Sequence, residues 1–361
     1  MIRLGTSAAD LGRAAAIIKA GGLAIFPTET VYGLGADAFN THALARVFDV
    51  KGRPRFDPLI IHIAGFSALE RIADLDALGS PERLLLEKLA KKFWPGPLTF
   101  VLPKRPEVPD LATAALPTAA IRFPSQSAAQ KLIELSGGAV AAPSANRFGR
   151  ISPTRAEHAV AELGDAADCI IDGGPCSVGV ESTVLSIQGG LKILRPGGIS
   201  REQIEELAGP LPEGNGISAN LNVPQDTTQR TGIIISGNKA ATMEEGEPAA
   251  SPGMLKSHYA PERPLFFYGS DVMQALPCCP EDGYLFFSGT SRKTWAARTG
   301  APDTDRIITL SESGDAVEAA ARLFEYLRLL DGKGVRRIHA EALPEKGIGA
   351  AVNDRLRRAA G

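Results

Sequence analysis

The sequence has few cysteines, almost no net charge and no long apolar run, and each shortage excludes a class of protein. Four cysteines in 361 residues are too few for a disulfide framework. Cys278 and Cys279 are adjacent, and Cys169 and Cys176 are too far apart for a zinc half-site, which places about two to four residues between its ligands. All four are expected as plain buried or surface thiols. No apolar stretch approaches the roughly 20 residues that cross a bilayer, and the opening Met1-Ile2-Arg3-Leu4-Gly5-Thr6 lacks the apolar segment of a secretory leader. A soluble, cytoplasmic protein without membrane contact is the expectation. Lys plus Arg number 39 against 41 Asp plus Glu, a net charge of −2, with a pI near 6.3. That balance excludes a general nucleic-acid coat but leaves room for a local basic patch. The P-loop pattern G-x-x-x-x-G-K-[ST] and the G-x-S-x-G nucleophile elbow are both missing.

What is present is enough apolar material for sizeable cores: 44% hydrophobic against 22% charged residues, at a mean hydropathy of −0.01. At about 150 residues per domain the length suggests about two domains. Over the first two hundred residues helix and strand signals alternate. Leu11, Ala14, Ile17 and Ile18 mark a helical face that stops at Gly21-Gly22. Short apolar runs at 23–26, 59–63, 98–102, 119–122, 139–142, 169–172, 182–186 and 192–194 read as strands. Ser200 with Gln203 forms a capping box for a further helix. The fold class is α/β; the pattern leaves open whether its sheet is parallel or mixed. Past residue 208 the periodicity breaks among Gly, Pro, Asn and Ser, and it resumes after Pro264 with strands, a long helix and a basic terminal helix. The expected domains are therefore 1–208, a linker over 209–261, and a small β/α domain over 262–361.

Polar residues gather just after the strands, where open α/β sheets bind ligands. Pro27-Thr28-Glu29-Thr30-Val31-Tyr32-Gly33-Leu34-Gly35 follows the first. Lys51, Arg53, Asp57 and His62 flank the second, Arg122 ends another, and Pro143-Ser144-Ala145-Asn146 follows the run at 139–142. Glu181-Ser182-Thr183 and Arg195-Pro196-Gly197 complete the set. Basic groups at such places suit a polyanion such as ATP. Taken singly each has a plainer reading. Lys51 and Arg53 could be a solvated helix end, His62 a satisfied core histidine, Ser144 and Asn146 turn formers, and Arg122 and Arg195 rim ion pairs. Gly33-Leu34-Gly35-Ala36-Asp37-Ala38 imitates a dinucleotide fingerprint but lacks the strand–turn–helix setting, so it is read as a turn.

In combination and in order, these motifs resemble the YrdC-like threonylcarbamoyl-AMP synthases. The likeness extends through Ser251-Pro252-Gly253-Met254, His258-Tyr259-Ala260-Pro261 and Asn353-Asp354-Arg355, as in the long, two-domain form. The resemblance implies a YrdC-like twisted open-sheet domain followed by a smaller Rossmann-like β/α domain. It implies a nucleotidyltransferase that makes threonylcarbamoyl-AMP and pyrophosphate from L-threonine, bicarbonate or carbon dioxide, and ATP. The product would pass to downstream tRNA threonylcarbamoyl-transfer proteins that modify the adenosine beside the anticodon; direct tRNA contact is left open. Family matching places Thr30, His62, Arg122 and Ser182 around L-threonine. It places Arg53, Asp57, Thr118, Ser144, Asn146, Ser152, Arg195 and Lys256 around ATP, with Lys51 and Arg53 as the catalytic cations. Mg2+ is expected with ATP, without an all-protein metal site. The linker segment 251–261 is expected as a lid over the site. An α/β RNA-binding or regulatory module is the rival reading, disfavoured by the acidic pI and by the intact Lys51-x-Arg53. A different carbamoyl-transfer enzyme with a YrdC-like module would need additional zinc-finger or acyl-phosphatase-like segments, and the chain has no C-x-x-C pair to make a zinc finger.

Overall fold

The protein is described by a computed structural model over residues 1–211 and 258–361. In chain order its strands are β1 (Ile2–Leu4), β2 (Ala24–Phe26), β3 (Gly33–Asp37), β4 (Ile60–Ile63), β5 (Leu98–Pro103), β6 (Thr118–Arg122) and β7 (Ala139–Ala141). They continue with β8 (Cys169–Ile171), β9 (Thr183–Ser186), β10 (Lys192–Arg195), β11 (Leu265–Tyr268), β12 (Gly283–Ser288), β13 (Ile307–Ser311) and β14 (Ile338–Glu341). The first ten form one sheet in the order β1-β8-β2-β3-β7-β4-β6-β5-β9-β10. The sheet is mixed. β4 runs parallel to β6, while β3 and β4 both lie antiparallel to β7, and β5 antiparallel to β6.

Side-chain alternation divides its two faces. Ile25 of β2 enters one core with Leu34, Phe48, Leu89 and Phe100. Ala24 and Phe26 enter the other, with Leu11, Ile18, Leu132 and Val140. The helices over these faces have local start and stop signals. Asn40 caps the helix Thr41–Lys51 by accepting from the His42 and Ala43 amides, and Gly52 ends it at φ 63°. That stop leaves Lys51 in the last turn and Arg53 just beyond it.

One sequence reading is corrected here. Gly33-Leu34-Gly35 is not a turn but part of β3, paired antiparallel with β2 and β7. Glycine is required for close approach rather than for a bend: a Cβ on Gly35 would lie 2.7 Å from Phe26 Cε1 and 2.8 Å from Val140 Cγ1.

The smaller sheet, β11-β14-β12-β13, is wholly parallel, as a Rossmann-like arrangement requires. The helices Ala316–Gly332 and Gly349–Ala360 cover one face. Trp295 and Met273 cover the other. The first of these cores does not stop at its own sheet, because Val31, Ile151 and Val180 of the larger unit pack into it beside Leu323 and Phe324. Arg155–Glu325 at 3.1 Å and Arg328–Glu162 at 2.9 Å bridge the same junction. Among the described residues no helix is long and apolar enough to cross a membrane.

Candidate active site

The cleft is built from strand ends and the loops between them. The loop after β2 supplies Thr28 and Thr30, β3 begins with Gly33, and β4 with its approach supplies Arg53, Pro58 and His62. β6 ends in Arg122, the turn after β7 brings Pro143 and Ser144, and β10 ends in Arg195. Glu181 and Ser182 stand just before β9, and His258 and Tyr259 close the lining from the start of the smaller unit. Of the residues expected around the substrates, the structure gathers Thr30, Arg53, His62, Arg122, Ser144, Ser182 and Arg195 into this lining.

The four residues expected around threonine form a buried, ordered group. Arg122 donates from Nη1 to Thr30 Oγ1 at 2.8 Å and pairs through Nη2 with Glu29 Oε1, also at 2.8 Å. Thr28 and Thr30 hydroxyls lie 2.9 Å apart. Ser182 Oγ sits 2.7 Å from Thr99 Oγ1 and accepts from Arg195 Nη2 at 3.2 Å. His62 is buried in the cleft lining, and its Nδ1 has no hydrogen-bond partner among the described residues. Burial, followed by repulsion from Arg122, pushes its pKa down from 6.5 to about 3. The imidazole is therefore neutral near pH 7 and able to present one donor and one acceptor.

The residues expected around ATP divide differently. Arg53 lines the cleft with its guanidinium pinned from behind, donating to Asp57 O at 3.1 Å and Pro58 O at 2.9 Å. It also pairs with Asp57 Oδ2 at 2.8 Å. Asp57 is fully buried; burial raises its pKa against the pull of Arg53, Lys51 and Arg195. Lys51 departs from its expected role as a cation in the cleft. Its Nζ donates to the carbonyls of Ser144, at 2.5 Å, and Asn146, clamping the turn after β7 from beneath. Burial and then the nearby Arg53 hold its pKa well below the ordinary lysine value. Asn146 is buried too, its amide donating to Arg147 O and Arg150 O. Ser152 donates to Glu181 Oε1 at 2.6 Å. Thr118 is not brought into the lining. It begins β6, whereas Arg122 ends it, and the rise of four steps along the strand separates the two by about 13 Å. Lys256 and the 251–257 part of the expected lid lie outside the described residues.

Sequence reasoning passed over several members of this site. Glu29 and Glu181 stood inside the quoted motifs, yet only the fold shows them pairing with Arg122 and with Arg355. Thr99 carried no local signal, because its meeting with Ser182 joins positions 83 residues apart.

The pH dependence of stability follows from the histidines. His62 and His258 both fall to about 3 from 6.5, chiefly through burial. Between those values the unfolded chain binds protons that the native state refuses, so stability falls as pH drops from 6.5 toward 3. Above 6.5 neither contributes a slope. Urea midpoints measured from pH 4.5 to 8 should fall on the acid side, and His62→Gln should flatten part of that fall. A curve unchanged by the substitution would contradict the assignment.

Comparison with known proteins identifies the family. A family profile described as "Telomere recombination" matches residues 16–197. A second, described as "Threonylcarbamoyl-AMP synthase, C-terminal domain", matches 199–361. The chain belongs to the threonylcarbamoyl-AMP synthase family. It is an enzyme, a synthase of the nucleotidyltransferase type. It is 41% identical over 353 residues to the threonylcarbamoyl-AMP synthase of Pyrococcus abyssi, covering 96% of this chain and 93% of the relative. The Bacillus subtilis synthase is 38% identical over 364 residues, covering 99% and 95%. Among solved structures, P. abyssi Sua5 complexed with L-threonine superposes with a TM-score of 0.78 at 37% identity, over 100% of this chain and 97% of that one. The synthase fold thus spans both units, as the two sheets show.

Proposed function

We propose that the chain condenses L-threonine, bicarbonate or carbon dioxide, and ATP into threonylcarbamoyl-AMP, releasing pyrophosphate, with one water formed when bicarbonate supplies the carbon. One observation carries the reading: three buried guanidiniums, Arg53, Arg122 and Arg195, converge on one cleft together with the hydroxyls of Thr30, Ser144 and Ser182. Arginine forks suit a carboxylate and a run of phosphates. The structure of P. abyssi Sua5 with L-threonine supports the amino acid.

The chemistry assigns most of the covalent work to the substrates. Bicarbonate, where it is the source, takes up a proton and loses water to give carbon dioxide. Threonine's amine then attacks its carbon, an N–C bond forms as one C=O π bond opens, and the amine's proton passes to solvent, giving a carbamate. A carbamate oxygen then attacks the α-phosphorus, and pyrophosphate departs with the electrons of the broken P–O bond. No protein nucleophile is needed; the chain's task is alignment and charge stabilisation. Arg122, oriented by Glu29, receives the threonine carboxylate, and Thr30, His62 and Ser182 face its side-chain hydroxyl. Arg53, Ser144 and Arg195 receive the phosphates, on a turn that Lys51 holds in shape. Mg2+ enters with ATP. Among the described residues no group of three His, Cys, Asp or Glu side chains converges, and phosphates and waters commonly supply most magnesium ligands. The product then serves threonylcarbamoylation of tRNA adenosine beside the anticodon.

Pyrophosphate release should require threonine, bicarbonate, ATP and Mg2+ together, with threonylcarbamoyl-AMP identified by mass. EDTA should stop it and added Mg2+ restore it. Release that continues without threonine or bicarbonate would overturn the reading.

A further inference from the structure

We infer that Arg355, on the terminal helix Gly349–Ala360, is a positioning residue for the cleft, through which the smaller unit takes part in catalysis. Its side chain is fully buried, and its guanidinium binds three segments distant from one another in sequence. Nε donates to Glu181 Oε2 at 2.8 Å, and Nη1 donates to Pro196 O at 3.0 Å. The guanidinium carbon lies 5.2 Å from the centre of the Tyr259 ring, within cation–π range. Those segments are the approach to β9, the exit of β10 and the His258-Tyr259 corner, and each lines the cleft. Asp354 Oδ2 also accepts from Nη1, at 2.7 Å, while pairing with Arg358.

Each contact fixes something the site depends on. The exit of β10 is tightly seated, because a Cβ on Gly197 would fall 2.3 Å from Glu181 O; the Pro196 carbonyl bond holds that seat and aims Arg195. Tyr259 stands in the left-handed region at φ 66°, a strained conformation for a non-glycine residue. The ring is kept there between Arg355 and a stack on Phe324, with centroids 5.6 Å apart. Glu181 is buried at the cleft wall and also accepts from Ser152. Burial would raise its pKa, but Arg355 and then Arg195 hold it below the ordinary carboxylate value. Without Arg355 an ionised carboxylate would face a cleft meant for phosphates, and like charges there would repel. Arg355 itself touches no reacting atom. It acts through Glu181, Pro196 and Tyr259.

This inference rests on the ATP reading above, and a double-mutant cycle separates the two. ATP kinetics are measured by pyrophosphate release for the full-length wild type, Arg355→Met, Glu181→Gln and the double variant. In the wild-type background Arg355→Met should raise KM for ATP roughly tenfold or more, the scale of coupling between contacting charged residues. In the Glu181→Gln background the same change should cost under about threefold, because no buried carboxylate remains uncompensated. A role confined to holding the two units together predicts a fall in melting temperature with losses in kcat and in KM for threonine as large as that in KM for ATP, and that result overturns the inference. Should Arg355→Met fail to fold, Arg355→Lys replaces it, with a smaller ATP effect that Glu181→Gln must again erase. A wild type without ATP-dependent pyrophosphate release overturns the functional reading and the inference with it. Additive losses in an active enzyme overturn the inference alone.

Discussion

Replacing Arg53 by alanine is expected to lower turnover about 10²–10³-fold, the usual effect of removing one preorganised charge contact from a reacting group. Arg53 lines the cleft and is held rigid from behind by the Asp57 and Pro58 carbonyls and the Asp57 carboxylate. That rigidity means the oxygens of a departing pyrophosphate would meet a donor needing no reorganisation. The substitution also has a structural cost, since it strands Asp57 as a buried acid, and breaking such a pair costs about 3–5 kcal/mol. Arg53→Ala with Asp57→Asn removes the stranded charge and separates the effects. Melting should recover in the double variant while turnover stays low. Near-wild-type turnover in a well-folded double variant would remove Arg53 from the mechanism.

L-Valine is expected to be used about 10⁴-fold less efficiently than L-threonine. The two side chains have nearly the same shape, so shape alone discriminates poorly. The proposed pocket, however, contains the Thr30 and Ser182 hydroxyls and the unpartnered His62 Nδ1, all buried. Thr30 and Ser182 already have protein partners. Valine's cost therefore falls on His62 Nδ1, which it would leave without the partner a hydroxyl supplies, and an unpaired buried polar group is costly. L-Serine keeps the hydroxyl and lacks a methyl, so its penalty is limited to about 1–3 kcal/mol. The ratio of kcat/KM across the three amino acids checks this directly. Equal use of valine and threonine would place the hydroxyl somewhere other than this pocket.

Local sequence determined a good deal of this protein. The Asn40 cap and the Gly52 stop bound one helix, and the Ser200–Gln203 capping box opens another. Short apolar runs marked most of the strands, because a buried strand a few residues long can hardly be anything but apolar. The clustering of Thr30, His62, Arg122, Ser144, Ser182 and Arg195 could be anticipated for a similar reason: each stands at or near a strand end, and strand ends converge at ligand clefts, while Arg53 joins them from a helix end. Tertiary structure decided what each group does there. Lys51 and Arg53 share one motif, yet one clamps a turn and the other lines the cleft, because the chain's reversal at Gly52 aims their side chains differently. Gly35 belongs to a strand, not a turn, since the Phe26 ring and Val140 leave no room for a Cβ. Arg355 reaches Glu181 across 174 positions, a pairing absent from any local pattern. Hydrogen-bond caps and side-chain periodicity act over a few residues, so a sequence window contains them. Buried charge is compensated by whatever the fold brings within about 3 Å, and only the packed chain specifies that partner.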